Sequence, residues 1–92
     1  MITSIILINA ERTKVSQVAE ELVKIDGISE VYSVSGSYDL VAIIRVPHNE
    51  DLANLVTNKL VKVESIVKTE TMLAFRAFTR NELEGVFSLG MD

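Results

Sequence analysis

The segment Val34-Ser35-Gly36-Ser37-Tyr38-Asp39-Leu40-Val41 gathers one carboxylate, several small polar groups and a glycine just before an apolar run. Two roles are open to Asp39. Short acidic residues often close a turn by accepting bonds from backbone N–H groups. Alternatively, the carboxylate pairs with the ammonium of a ligand while N–H groups of the turn hold that ligand's carboxylate. An α-amino acid presents both groups.

Other chemistry finds little support in the residue types. The single histidine, His48, follows Pro47 at a predicted helix start, with no constellation that would make it a catalytic base, so a structural role is expected. Gly27, Gly36, Gly85 and Gly90 are scattered and do not form a phosphate-cradling loop. Glu20, Glu21, Glu50 and Asp51 fit solvated helix faces and helix-dipole partners. With no cysteine and no His/Asp/Glu cluster of ligand spacing, neither a disulfide nor a metal site is expected, and no cofactor is implied.

The elements that must position the turn are legible from apolar spacing. Residues 2–10 are apolar at both parities, Ile6 and Ile8 on one side and Ile5 and Leu7 on the other, as in a strand covered on both faces. Val15, Val18, Ala19, Leu22 and Val23 then repeat as one helical face, with Thr13 as candidate N-cap and Gly27 as candidate left-handed C-cap. Residues 28–35 form a second strand, and Ser35-Gly36-Ser37 turns the chain into a third over residues 38–46, ended by Pro47. Its Leu40, Ala42, Ile44 and Val46 share one face, and Val41 and Ile43 the other. A second helix, capped by His48 or Asn49, carries Leu52, Leu55, Val56 and Leu60 inward, and residues 66–79 make a long final strand. The tail 80–92 retains Val86, Phe87, Leu89 and Met91 without a clear period and is expected to dock on this subunit or a neighbour.

This order, β-α-β-β-α-β, predicts an α+β, ferredoxin-like domain: a four-stranded antiparallel sheet with two helices on one face. Ninety-two residues suffice for one domain over 1–92, with a core at 2–79. Helices cover only one face of a single sheet, yet the two central strands are apolar on both. The free face should therefore meet the sheet of a second copy, about 10 Å away. A composition 48% apolar, with mean hydropathy +0.29, agrees with self-association.

Charge and hydropathy narrow the partners. Nine basic against thirteen acidic residues give a net charge of -4 without clustered cations, so direct nucleic-acid binding is not expected. No apolar run approaches the ~20 residues of a membrane helix, and the apolar N-terminus lacks the basic segment of a signal peptide, so no membrane role and a cytoplasmic location are expected.

Ile25-Asp26-Gly27-Ile28-Ser29-Glu30-Val31, followed by Ser35-Gly36-Ser37-Tyr38-Asp39-Leu40 with its G-x-x-D turn, resembles the effector domain of the Lrp/AsnC regulators. This domain is also called RAM, for regulation of amino acid metabolism. The resemblance covers residues 2–79. It implies a domain that dimerises through its sheets, dimers that assemble into rings, commonly octamers, and a free amino acid bound between dimers. Carried over by position, Gly36, Tyr38 and Asp39 match the ligand-binding turn, and Thr69, Thr71 and Met72 match the part of the last strand that lines the pocket. As residues of a strand, Thr69 and Thr71 need no such role.

The family's regulators carry an N-terminal helix-turn-helix, whereas here the first strand begins at Ile2, as in stand-alone versions of the module. The expectation is a sensor and oligomerisation module, not an enzyme, acting through partners such as full-length Lrp/AsnC regulators. Two rivals remain: a small enzyme of the dimeric α+β barrel type, and a structural oligomerisation domain without a ligand.

Overall fold

A computed structural model describes residues 1–80. Its strands are β1 (Ile2–Ala10), β2 (Ile28–Ser33), β3 (Leu40–Val46) and β4 (Ile66–Leu73), with helices α1 (Val15–Leu22) and α2 (Asn49–Asn54). The strands form one antiparallel sheet in the order β2-β3-β1-β4, so β1 and β3 are central as the ferredoxin-like reading requires.

The parity of the central strands sorts their side chains cleanly. Ile6, Ile8, Leu40, Ala42 and Ile44 lie at 0% exposure beneath the helices, joined by Val18 and Leu22 of α1. Ser4 shares this layer and is also fully buried, which is tolerable because its hydroxyl donates to the Met72 carbonyl at 2.7 Å. On the opposite face Ile5, Leu7, Val41 and Ile43 are half-buried, and Met72 (40% exposed) and Tyr32 (51% exposed) extend the same apolar surface outward. Register places Met72 beside Ile5 and Tyr32 beside Val41.

Several local expectations change. Thr13 does not cap α1: it lies in a 3₁₀ turn over Arg12–Lys14, closed by the Lys14 N–H on the Glu11 carbonyl at 2.8 Å, and α1 starts after Lys14 without a side-chain cap. Gly27 is not the cap of α1 either, because the helix ends at Leu22 and closes through successive turns, Ile25 N–H bonding to the Leu22 carbonyl at 3.0 Å. Gly27 instead leads into β2, with φ +104° and its carbonyl accepting from Arg45 N–H at 2.8 Å. β2 stops at Ser33 and β4 at Leu73, short of the predicted residues 35 and 79. One further bond, Ala74 N–H to the Thr3 carbonyl at 2.9 Å, follows β4. The predicted docking of Val86, Phe87, Leu89 and Met91 lies outside the described residues.

His48 is the residue that precedes α2, and the Asp51 carboxylate reaches back to its backbone N–H at 3.1 Å. Past Asn54 the helix widens into a π-turn over Leu55–Lys59, with Leu60 N–H bonding to the Leu55 carbonyl. Five residues per bonded turn bring Leu60 back over Leu55, so both are buried although their spacing does not suit an α-helix.

Gly27 is the position where the core comes closest to backbone. A Cβ there would lie 2.8 Å from Leu55 Cδ1 and 2.9 Å from Val46 Cγ1, on a backbone that L-residues rarely adopt. Gly27→Ala should therefore lower stability by about 2 kcal/mol through overpacking and backbone strain, seen as a fall in Tm on thermal denaturation.

Candidate ligand site

The chain leaves β2 at Ser33 and returns into β3 at Leu40, and Gly36 makes the reversal with φ +114° and open space around its Cα. Three contacts fasten this turn to the end of β1. Asp39 N–H donates to the Ile8 carbonyl at 2.9 Å, Ala10 N–H donates to Asp39 Oδ2 at 3.0 Å, and Asn9 Nδ2 donates to the Ser37 carbonyl at 3.0 Å. Asn9 Nδ2 also lies 3.4 Å from Asp39 Oδ2. The turn closes on itself through Val34 N–H and the Asp39 carbonyl at 3.0 Å.

Asp39 thus does what short acidic turn residues do, accepting a backbone N–H, but with one oxygen only. Among the described residues, no hydrogen bond uses Asp39 Oδ1 or the N–H groups of Ser35, Gly36, Ser37 and Tyr38. An uncommitted oxygen of the half-buried Asp39 and a run of uncommitted donors therefore lie within one short turn.

Tyr38 reaches across β1. Its hydroxyl donates to Glu70 Oε1 at 2.7 Å, and the Lys68 ammonium lies 5.7 Å from its ring centroid. The bond to Glu70 holds the Tyr38 hydroxyl above its ordinary pKa, since ionisation would set a phenolate against a carboxylate. At the other end of the same sheet face, Glu30 accepts from the Tyr32 hydroxyl and from Arg45 Nη1 at 3.2 Å. These bonds, Tyr32 first, hold its carboxyl below the usual range.

The six residues expected at the site are not all brought together within one chain. Gly36, Tyr38 and Asp39 share the turn. Met72 pairs with Ile5 on the open face of the sheet, whereas Thr69 pairs with Ile8 and Thr71 with Ile6, which places both on the helix-bearing side. There Thr69 borders a separate apolar groove of about 290 Å³ between Val56, Leu60, Val61, Val63 and Ile66. Asn9 and Glu70 were missed by sequence reasoning. Asn9 leaves a signal in hindsight, as the one polar residue among Ile5 to Ala10. Glu70 leaves none, because its meeting with Tyr38 depends on the β1–β4 register.

Residues 3–83 match the family described as the Lrp/AsnC ligand binding domain. The chain belongs to this family. The Lrp/AsnC relatives include the HTH-type transcriptional regulator FL11 of Pyrococcus furiosus, 37% identical over 75 residues, which are 82% of this chain and 49% of the regulator. The chain spans half or less of the length of the curated relatives it matches. Among solved structures, TTHA0845 from Thermus thermophilus superimposes with a TM-score of 0.81 at 41% identity, over 87% of this chain and all of that one. The protein PHS023 from Pyrococcus horikoshii superimposes with a TM-score of 0.77 at 31% identity, over 88% of this chain and 95% of its own. The Lrp/AsnC fold is thereby established, and the chain is a ligand-binding domain of the transcription-regulator type. Among the described residues no helix is long and apolar enough to cross a membrane.

Proposed function

We propose that the domain senses a free α-amino acid at the Gly36–Asp39 turn and transmits its presence through assembly with further copies. The observation that carries this reading is the half-used Asp39 carboxylate beside four uncommitted N–H groups. A zwitterion entering a partly dry site needs a partner at each end, or desolvation costs several kcal/mol per ion. Asp39 Oδ1 meets the ammonium and the turn donors meet the carboxylate.

Met72 completes the pocket wall from one neighbouring copy through the open face, and Thr69 and Thr71, on the helix-bearing side of the same strand, do so from another. Met72 gives that wall an adaptable apolar surface, which suits an apolar or amide side chain. The open face, centred on Ile5, Leu7, Val41 and Ile43, pairs two copies, and dimers join into a ring of octamer type. Full-length Lrp/AsnC regulators are the expected partners, co-assembling through this same face. The regulator names of the relatives favour this reading over a dimeric α+β barrel enzyme.

Calorimetric titration with the twenty amino acids tests the proposal. Asp39→Asn is the informative variant, because its amide oxygen can still accept from Ala10 N–H while the charge is gone. Affinity for the ligand should fall at least about thirtyfold, or ~2 kcal/mol, with little change in Tm. Unchanged affinity would remove Asp39 from the site. A wild type that binds none of the twenty at millimolar concentration would leave a structural oligomerisation domain.

A further inference from the structure

We propose that Lys68 holds the carboxylate of the bound amino acid, so that three adjacent strands present one row of groups matched to a zwitterion. This rests on the amino-acid reading above and adds a residue to it. The row follows from register. Asn9 of β1 pairs directly with Lys68 of β4, and on its other side Asn9 Nδ2 lies 3.4 Å from Asp39 Oδ2 at the head of β3. Neighbouring strands are about 4.8 Å apart, so Asp39 and Lys68 flank Asn9 with roughly 10 Å between their backbones. An anion, an amide and a cation thus stand side by side at one end of the open face.

Three observations aim Lys68 at the turn. Its ammonium lies over the Tyr38 ring at 5.7 Å, within cation–π range, and Tyr38 belongs to the turn itself. The nearest carboxylate on its own strand face, Glu70, is engaged by the Tyr38 hydroxyl, and among the described residues Lys68 makes no ion pair. Beside it the β1–β4 ladder slips: Asn9 pairs with Lys68 but Ala10 with Ile66, leaving Val67 without a partner. A bulge of this kind re-aims the side chains next to it.

The chemistry explains why a cation is needed there. Backbone N–H groups of the Gly36 turn offer hydrogen bonds but no net charge, and a carboxylate leaving water is best met by an opposite charge. Lys68 supplies that charge on a flexible stem that follows carboxylates of different placement. The plainer role for a lysine on an edge strand is to block edge-to-edge pairing. That role predicts no dependence on the ligand's carboxylate.

The test compares each amino acid that binds with its own carboxamide, on the wild type and on Lys68→Gln, by calorimetry. The wild type should prefer the free acid by about tenfold or more. Lys68→Gln should lose about tenfold for the free acid and little for the carboxamide, so that the preference collapses, and Lys68→Arg should restore most of it. If Lys68→Gln keeps the preference, or weakens acid and carboxamide equally, Lys68 does not hold the carboxylate although the sensor reading stands. A wild type that binds no amino acid overturns both together.

Discussion

Leu7→Glu is expected to leave the protein monomeric. Leu7 sits at the middle of the open sheet face, between Val41 on β3 and Glu70 on β4, and its side chain is only half-covered by its own subunit. In a face-to-face pair the two Leu7 side chains lie near the centre of the interface, where the flanking strands exclude water. A glutamate there brings an unpaired charge into the contact and sets Glu70 beside it as a second negative group, at a cost of several kcal/mol. The dimer dissociation constant should rise at least about a thousandfold, equivalent to ~4 kcal/mol. Light scattering across a micromolar concentration series reads this directly. The helices and their core lie on the other side of the sheet, so the far-UV circular dichroism of the variant should keep its native shape. A wild type that is itself monodisperse and monomeric at these concentrations would refute sheet-to-sheet assembly.

Ile8→Ala is expected to cost the fold about 3 to 4 kcal/mol. Ile8 is at 0% exposure, pairs with Leu40 on one side and Thr69 on the other, and belongs to the buried cluster that joins the helices to the sheet. Removing a buried branched chain forfeits its transfer energy and leaves a cavity that central strands, held by ladders on both edges, cannot collapse to fill. For a domain of this size that is a large fraction of total stability. Urea denaturation should show a lower midpoint at an unchanged slope, and a loss below about 1 kcal/mol would mean that the sheet relaxes far more than its pairing suggests. The same residue donates no side-chain group to the turn, so ligand affinity measured well below the melting temperature should stay within a few fold.

The contrast between Leu7 and Ile8 also shows what was legible in the sequence. Alternation along Ile5 to Ile8 and Leu40 to Val46 is a local property, and it sufficed to place two buried central strands, to leave one face over, and to order the remaining elements around them. Boundaries were less legible where the deciding partner is remote. Residues 74–79 carry phenylalanines and a threonine that suit a strand, yet the ladder with β1 ends at the Ser4–Leu73 pair and only the Ala74–Thr3 bond follows it. Thr13 has the right side chain for a cap, but a tighter backbone bond between Lys14 and Glu11 decides the start of α1. The π-turn was hidden because the Leu55 to Leu60 spacing is a departure from helical period that only close packing rewards.

The candidate site divides in the same way. Gly36 and Asp39 announce themselves through turn chemistry, which depends on neighbours in sequence. Asn9, Lys68 and Glu70 meet the turn only through register across three strands, and register between β1 and β4 is set by pairs such as Ser4 with Leu73 that no short window contains. A bulge at Val67 shifts that register by one residue, which inverts the facing of everything beyond it. No spacing rule in the sequence marks where that shift falls.

The strand order β2-β3-β1-β4 has a bearing on how the chain is made. β1 is synthesised before either strand that it pairs with, and its two partners are completed only at Val46 and Leu73. Until then both of its edges are open templates for pairing with another nascent chain. Closing such distant contacts is slow compared with helix formation, and α1, already synthesised, can shield just one face of the waiting strand. Biogenesis of this domain is therefore expected to be limited by the wait of β1. Codon or temperature changes that slow synthesis between residues 46 and 73 should raise the aggregated fraction more than equal delays elsewhere.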